Sequence, residues 1–211
     1  MESFETSPFV LRPQQERSRT ALARIIAGAA EVLVRDDSES FSMAEIAKAA
    51  GLPLSSIYRR FKGKDSIIQA ISLDTFTRLE DIIRDRIQGV HFASAGEVVA
   101  ELAAGMVAMS EENGALFQVL VRQPINNFTV RATIITGRGR LVSYYKEAIS
   151  GFLQHFSEQR REILIGISYH IVASAIISKL RGEDPTLNDL SWSDLAQEVT
   201  KAATGYLEEA V

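Results

Sequence analysis

Through nearly every segment of this 211-residue chain, apolar residues recur at the three- and four-residue spacing of a helix, and no run alternates like a half-buried strand. The expected fold class is therefore all-α. A first helix is expected over 17–34, where Leu22, Ile25, Ile26, Ala29 and Leu33 form one stripe. A long fourth helix is expected over 64–88, with others at 95–110, 114–122, 127–156, 158–181 and 191–208. The breaks between them are read from "ENG", Pro124 and "RGEDPTLND". Gly137 and Gly139 leave open whether 127–156 is one helix or two.

Two short helices lie between the first and the fourth. "SMAE" at Ser42 to Glu45 has the spacing of a capping box, and Met43, Ile46, Ala47 and Ala50 make the buried stripe that follows. Gly51 supplies a positive φ to close that helix, and Leu52 tucks in behind it. Pro53 or Leu54 begins the next helix, since proline is tolerated in a first turn. On a wheel of about 100° per residue, Ile57, Phe61, Leu54 and Tyr58 should face the core. Ser55, Ser56, Arg59 and Lys62 then share the opposite face, with Arg60 at the flank.

Charge singles out the same region. The chain carries a formal net charge of −4, yet residues 12–64 hold ten Lys or Arg against six Asp or Glu. Such a basic end in an acidic chain suits contact with an anion. A helix–turn–helix can place its second helix in a major groove, where Arg reads guanine and apolar side chains touch thymine methyls. A solvated helix face on an ordinary helical hairpin is the alternative reading of the same bases.

The run "FSMAEIAKAAGLPLSSIYRRFKGKDSII" resembles the amino-terminal domain of the TetR/AcrR family of bacterial transcriptional regulators. Phe41, Ile46, Ala47, Ala50, Gly51, Tyr58, Phe61, Lys64, Ile67 and Ile68 carry the resemblance, which is specific over 17–71. It implies a flexible arm at 1–15, a helix–turn–helix DNA-binding domain at 16–63, and a helical ligand-binding and dimerisation domain at 64–211. It also implies a homodimer, formed through the last two helices, that binds double-stranded operator DNA and releases it when a small effector enters. Ser55, Ser56, Arg59 and Arg60 would meet bases or nearby phosphates, and Tyr58 and Lys64 would hold phosphates. Met43 and Ala44 would lie near the DNA backbone. Leu54 and Lys62 complete the expected contact set. The chain departs from the family in having Pro53 and Gly63 where serines are frequent.

The effector is expected to be apolar or aromatic. Phe76, Met106, Met109, Phe117, Tyr145, Phe152 and His170, with Tyr144 and Tyr169, are the candidates to line its cavity. Ordinary core packing is the alternative for each. The segment from Ile163 to Ile177 carries no formal charge and is expected to be buried on all sides rather than to span a membrane, because polar residues interrupt it and bases close both ends.

No cofactor is expected. The chain has no cysteine, and His91, His155 and His170 lack metal-ligand spacing. No nucleophile–base pair is visible, so an enzyme is not expected. The start lacks the pattern of a secretory signal, which makes the cytoplasm the expected location. From another functional class, a helical small-molecule binding or interaction module without sequence-specific DNA regulation remains open.

Overall fold

A computed structural model describes residues 16–36, 41–122, 128–182 and 184–210. Among them every regular element is helical. The elements are α1 (Glu16–Asp36), α2 (Met43–Ala50), α3 (Leu54–Tyr58), α4 (Lys64–Ile87), α5 (Ala95–Arg122), α6 (Phe128–Ile149), α7 (Glu158–Arg181), α8 (Pro185–Asp189) and α9 (Trp192–Glu208), with a 3₁₀ turn at Ser150–Leu153. The expected arm at 1–15 and the break at Pro124 lie outside the described residues.

The chain forms two compact units. The first comprises Met1–Thr77 and Ala115–Thr136, the second Arg78–Gly114 and Gly137–Val211. In the first unit Leu22, Ile25, Ala29 and Leu33 of α1 join Ile46 of α2, Ile57 of α3 and Ile67 and Ile71 of α4 in one buried cluster, completed by Val119 and Leu120 of α5. Because α4 contributes to this cluster through Ile71, the unit extends past residue 63. Gly28 lets α1 and α2 touch backbone to backbone, for a Cβ there would lie 2.6 Å from the amide nitrogen of Ala50.

In the second unit α7 packs on α9, with Leu164, Tyr169, Val172 and Ile176 of α7 and Leu195, Val199 and Ala203 of α9 all buried. The ammonium of Lys179 ties their connection together. It donates to the carbonyls of Leu187, Asn188 and Leu190 at 2.7, 3.1 and 2.7 Å and lies 5.1 Å from the centre of the Trp192 ring. These carbonyls lie at and just past the end of α8, where intrahelical partners run out.

The break expected at "ENG" is a kink at Asn113 (φ −130, ψ 21), where the backbone leaves helical geometry between the two helical stretches of α5. α6 runs through Gly137 and Gly139 as one helix and ends in the 3₁₀ turn. α7 is not buried on all sides: Ile163 and Ile167 are 45% and 44% exposed, and Gly166, His170 and Ser174 are exposed with them. By length and composition α7 is long and apolar enough to cross a membrane, and 44% of its most apolar window is buried within the protein. A core helix passes the same test.

Candidate nucleic-acid interface

The turn between α2 and α3 is built by local chemistry. Ser42 Oγ accepts from the amide of Glu45 at 3.2 Å, while the Glu45 carboxylate accepts from the Ser42 amide at 2.7 Å. The Ser42 amide, and the Ser42 hydroxyl that also donates to this carboxylate at 2.8 Å, hold the Glu45 carboxyl below its ordinary pKa. At the other end Gly51 adopts φ 60, and the amides of Gly51 and Leu52 donate to Lys48 and Ala47 carbonyls at 3.1 and 2.9 Å. This is the paired closure that glycine permits, with Leu52 half-buried against the core. From α1, Arg24 Nη2 donates to the Gly51 carbonyl at 2.9 Å.

α3 begins at Leu54, and Pro53 (φ −61, ψ 144) occupies the cap position without a side-chain hydrogen bond. The helix is anchored by Ile57 and by Phe61 just beyond it, both fully buried. Opposite that anchor, Ser55, Arg59 and Lys62 are exposed and Ser56 is half-buried. Leu54 and Tyr58 do not face the core as the wheel implied; they are 40% and 57% exposed. Both are end residues of a five-residue helix and lie at the margin of its apolar sector, where no neighbouring turn among the described residues covers them.

The remaining expected contacts divide. Ala44 is exposed at the first turn of α2, but the Met43 side chain is buried in the core, which leaves only its backbone available outside. Lys64 lies at the start of α4, its ammonium 5.3 Å from the centre of the Phe41 ring. Just before it, the Gly63 amide donates to Ser66 Oγ at 3.3 Å, and that hydroxyl donates back to the Gly63 carbonyl at 2.7 Å. Arg60 is turned inward. Its Nη2 donates to Ser18 Oγ at 2.9 Å, and burial followed by the neighbouring charge of Arg59 lowers its pKa. The pattern on α3 does not disclose Ser18 or Arg24, because their partners are 42 and 27 residues away.

The candidate effector residues fall in both units and are described separately. In the first, Phe76 and the buried Phe117 form a tilted ring pair 5.8 Å apart. In the second, Met106, Met109 and Tyr145 are buried, Phe152 is half-buried, and His170 is exposed. Tyr145 Oη lies 2.9 Å from Ser168 Oγ, and its ring centre lies 6.1 Å from that of Tyr169. Burial raises both phenol pKa values, that of Tyr169 to about 12. Arg138 Nη2 is 3.1 Å from His170 Nδ1; a guanidinium only donates, so Nδ1 accepts. Glu80, largely buried, accepts from Arg140 Nε at 2.6 Å and from Tyr144 Oη at 3.2 Å. Burial, then the Glu80 charge, raises the Tyr144 pKa.

Among the described residues no group of three or more His, Asp or Glu is placed to hold a metal ion.

Residues 25–71 match the family described as bacterial regulatory proteins, tetR family. The HTH-type transcriptional regulator UidR of Escherichia coli (strain K12) is 23% identical over 191 residues, which cover 89% of this chain and 90% of that protein. In structure, the chain is similar to the fatty acid degradation regulator FadR of Bacillus halodurans. The TM-score is 0.70 at 14% identity, over 91% of this chain and 96% of that one. FadR of Bacillus subtilis, solved in complex with stearoyl-CoA, gives a TM-score of 0.64 at 16% identity, over 86% and 97% of the two chains. The structural likenesses show a common fold, an amino-terminal helix–turn–helix domain followed by a helical carboxy-terminal domain.

Proposed function

Since the chain is a DNA-binding transcriptional regulator of the tetR family, with residues 25–71 as its family module, we propose that it represses transcription by binding a palindromic operator as a homodimer. A small-molecule inducer then releases it. The relatives named above are regulators, not enzymes. The observation that carries the proposal is the α3 surface, where Leu54, Ser55, Tyr58 and Arg59 point outward from a helix fixed by buried Ile57 and Phe61. Arg and Ser supply donors for base edges, Leu an apolar contact, and Tyr58 a hydroxyl for phosphate. Lys64, at the start of α4, suits a further phosphate.

The dimer is assigned to the last two long helices. Ile163, Gly166, Ile167, His170 and Ser174 fall at helical spacing on the exposed side of α7, a partly apolar stripe left uncovered by the described residues. The outward residues of α9, among them Gln197, Glu198 and Lys201, are polar. Apolar area is therefore centred on α7, with α9 supplying a polar rim, the usual division of an interface. An isologous pairing brings the same stripe from both copies together.

The inducer is assigned an apolar or aromatic character from Met106, Met109, Tyr145 and Phe152 of the second unit, and its binding opposes DNA binding reciprocally. Action on chromosomal DNA fits a cytoplasmic location. To test the proposal, genomic fragments retained by the immobilised protein are sequenced and mapped by nuclease protection. Protection of two-fold symmetric stretches supports it; retention of fragments in proportion to their length alone contradicts it.

A further inference from the structure

Although its position in the sequence puts Arg60 among the DNA contacts, its side chain points back into the protein. It is only 9% exposed, Nη2 donates to Ser18 Oγ at 2.9 Å and to the Ser18 carbonyl at 3.4 Å, and Nη1 lies 3.5 Å from the Ser56 carbonyl. Ser18 belongs to the first turn of α1, and Ser56 belongs to α3. One guanidinium thus joins the beginning of α1 to the recognition helix at the point where the regular helix has already ended.

We propose that Arg60 is a positioning residue for sequence reading, which sets the orientation of α3 against α1 through Ser18 and does not itself contact DNA. This rests on the DNA-binding function proposed above. Three features of the site support it. α3 is a single five-residue helix without a side-chain cap, so it needs contacts from other elements to fix its direction. The fork geometry of arginine holds two acceptors in fixed relation, which a lysine ammonium does not reproduce. Arg59, the adjacent base, is exposed and free to serve as the outward contact that Arg60 is not. Among the described residues the groups that act on the Arg60 charge are its burial and Arg59, both unfavourable to a cation. What the arginine offers at this position is its hydrogen-bonding shape.

The test is a double-mutant cycle in the full-length protein, with Arg60→Gln, Ser18→Ala and the pair, and with Arg60→Lys as a charge-conserving variant. Each is titrated with the operator duplex selected by the unaltered protein and with a scrambled duplex, across a salt series, and each is checked by thermal unfolding. The proposal expects Arg60→Gln, Arg60→Lys and Ser18→Ala each to reduce discrimination between the duplexes by about tenfold, the size of an ordinary coupling. The double variant should lose no more than Arg60→Gln alone, and the salt slope of scrambled-duplex binding should be unchanged. A slope reduced by about one unit in Arg60→Gln and restored in Arg60→Lys identifies a phosphate contact and overturns the proposal. Loss of discrimination at one base pair per half-site, with Ser18→Ala silent, identifies a base contact and also overturns it. If the unaltered protein itself prefers no duplex, the DNA-reading function fails and the positioning role fails with it.

Discussion

Arg24 of α1 donates to the carbonyl of Gly51 at 2.9 Å, so the first helix holds the turn that leads from α2 into α3. The same face of α1 approaches α2 so closely at Gly28 that a Cβ would fall 2.6 Å from the Ala50 amide nitrogen and 3.0 Å from its Cα. Backbone atoms of a hydrogen-bonded helix cannot give way as a flexible side chain can. Gly28→Ala is therefore expected to destabilise the protein by about 1–3 kcal/mol, the usual range for overpacking. Thermal or urea unfolding measures it, and unchanged stability would show that the helices separate without cost.

The outward side chains of α3 separate binding from folding. Tyr58 is 57% exposed and Arg59 is exposed, whereas the anchors Ile57 and Phe61 are fully buried. Tyr58→Phe and Arg59→Ala are expected to weaken operator binding by about 1–3 kcal/mol with little change in unfolding temperature. Duplex titration beside thermal unfolding checks both halves of the statement.

Lys64 is expected to behave differently. Placed at the start of α4 over the Phe41 ring, it is suited to a phosphate rather than a base. Lys64→Ala should weaken binding to all sequences about equally and lower the salt slope by about one unit. A loss confined to one sequence would contradict the assignment.

Tyr145 tests the interior of the second unit. Its hydroxyl meets Ser168 Oγ at 2.9 Å, and Ser168 also donates to the Ile165 carbonyl at 3.1 Å, so Tyr145 is the donor in this pair. Tyr145→Phe leaves a buried acceptor unmet and is expected to cost about 1–3 kcal/mol. Unfolding in urea measures the loss.

High pH gives a signed test. Burial raises the Tyr169 phenol to about 12, above the roughly 10 of an exposed phenol. The raised value means the fold favours the neutral form: its contribution is complete below about pH 10 and is lost as pH rises towards 12. Tyrosinate absorbance in Tyr169→Phe, compared with the unaltered protein, should show this phenol ionising late. Ionisation of Tyr169 with the exposed phenols would contradict its burial.

The apolar stripe on α7 makes a prediction about assembly. Ile167 is 44% exposed and central to it. Ile167→Asp places a charge at the core of the proposed interface and is expected to give a folded monomer in sedimentation. A dimer of unchanged affinity would move the interface elsewhere.

Local features of the first unit were legible because their causes are local. Ser42 and Glu45 cap across three residues, Gly51 supplies a positive φ, and the stripe of Met43, Ile46, Ala47 and Ala50 is the buried face of α2. Ile57 and Phe61 were legible as anchors for the same reason. Leu54 and Tyr58 were misread as facing the core because they are the two end residues of the five-residue α3, at the margin of its apolar sector, where covering depends on neighbouring elements rather than on the period. The inward turn of Arg60 depends on Ser18, a distant partner that no spacing reveals. Likewise, the even apolar character of α7 does not distinguish residues covered by α9 from those left for another surface. α8 was too short to show a period at all.

The most direct measurement is selection of the purified protein against a random duplex library at moderate salt, followed by sequencing. If the α3 face reads bases in a dimer, the recovered sequences contain a palindrome whose half-sites lie about 34–36 Å, or a multiple of that spacing, apart. If the folded protein enriches no motif, the outward face of Leu54, Ser55, Tyr58 and Arg59 does not read sequence, and the central claim is contradicted.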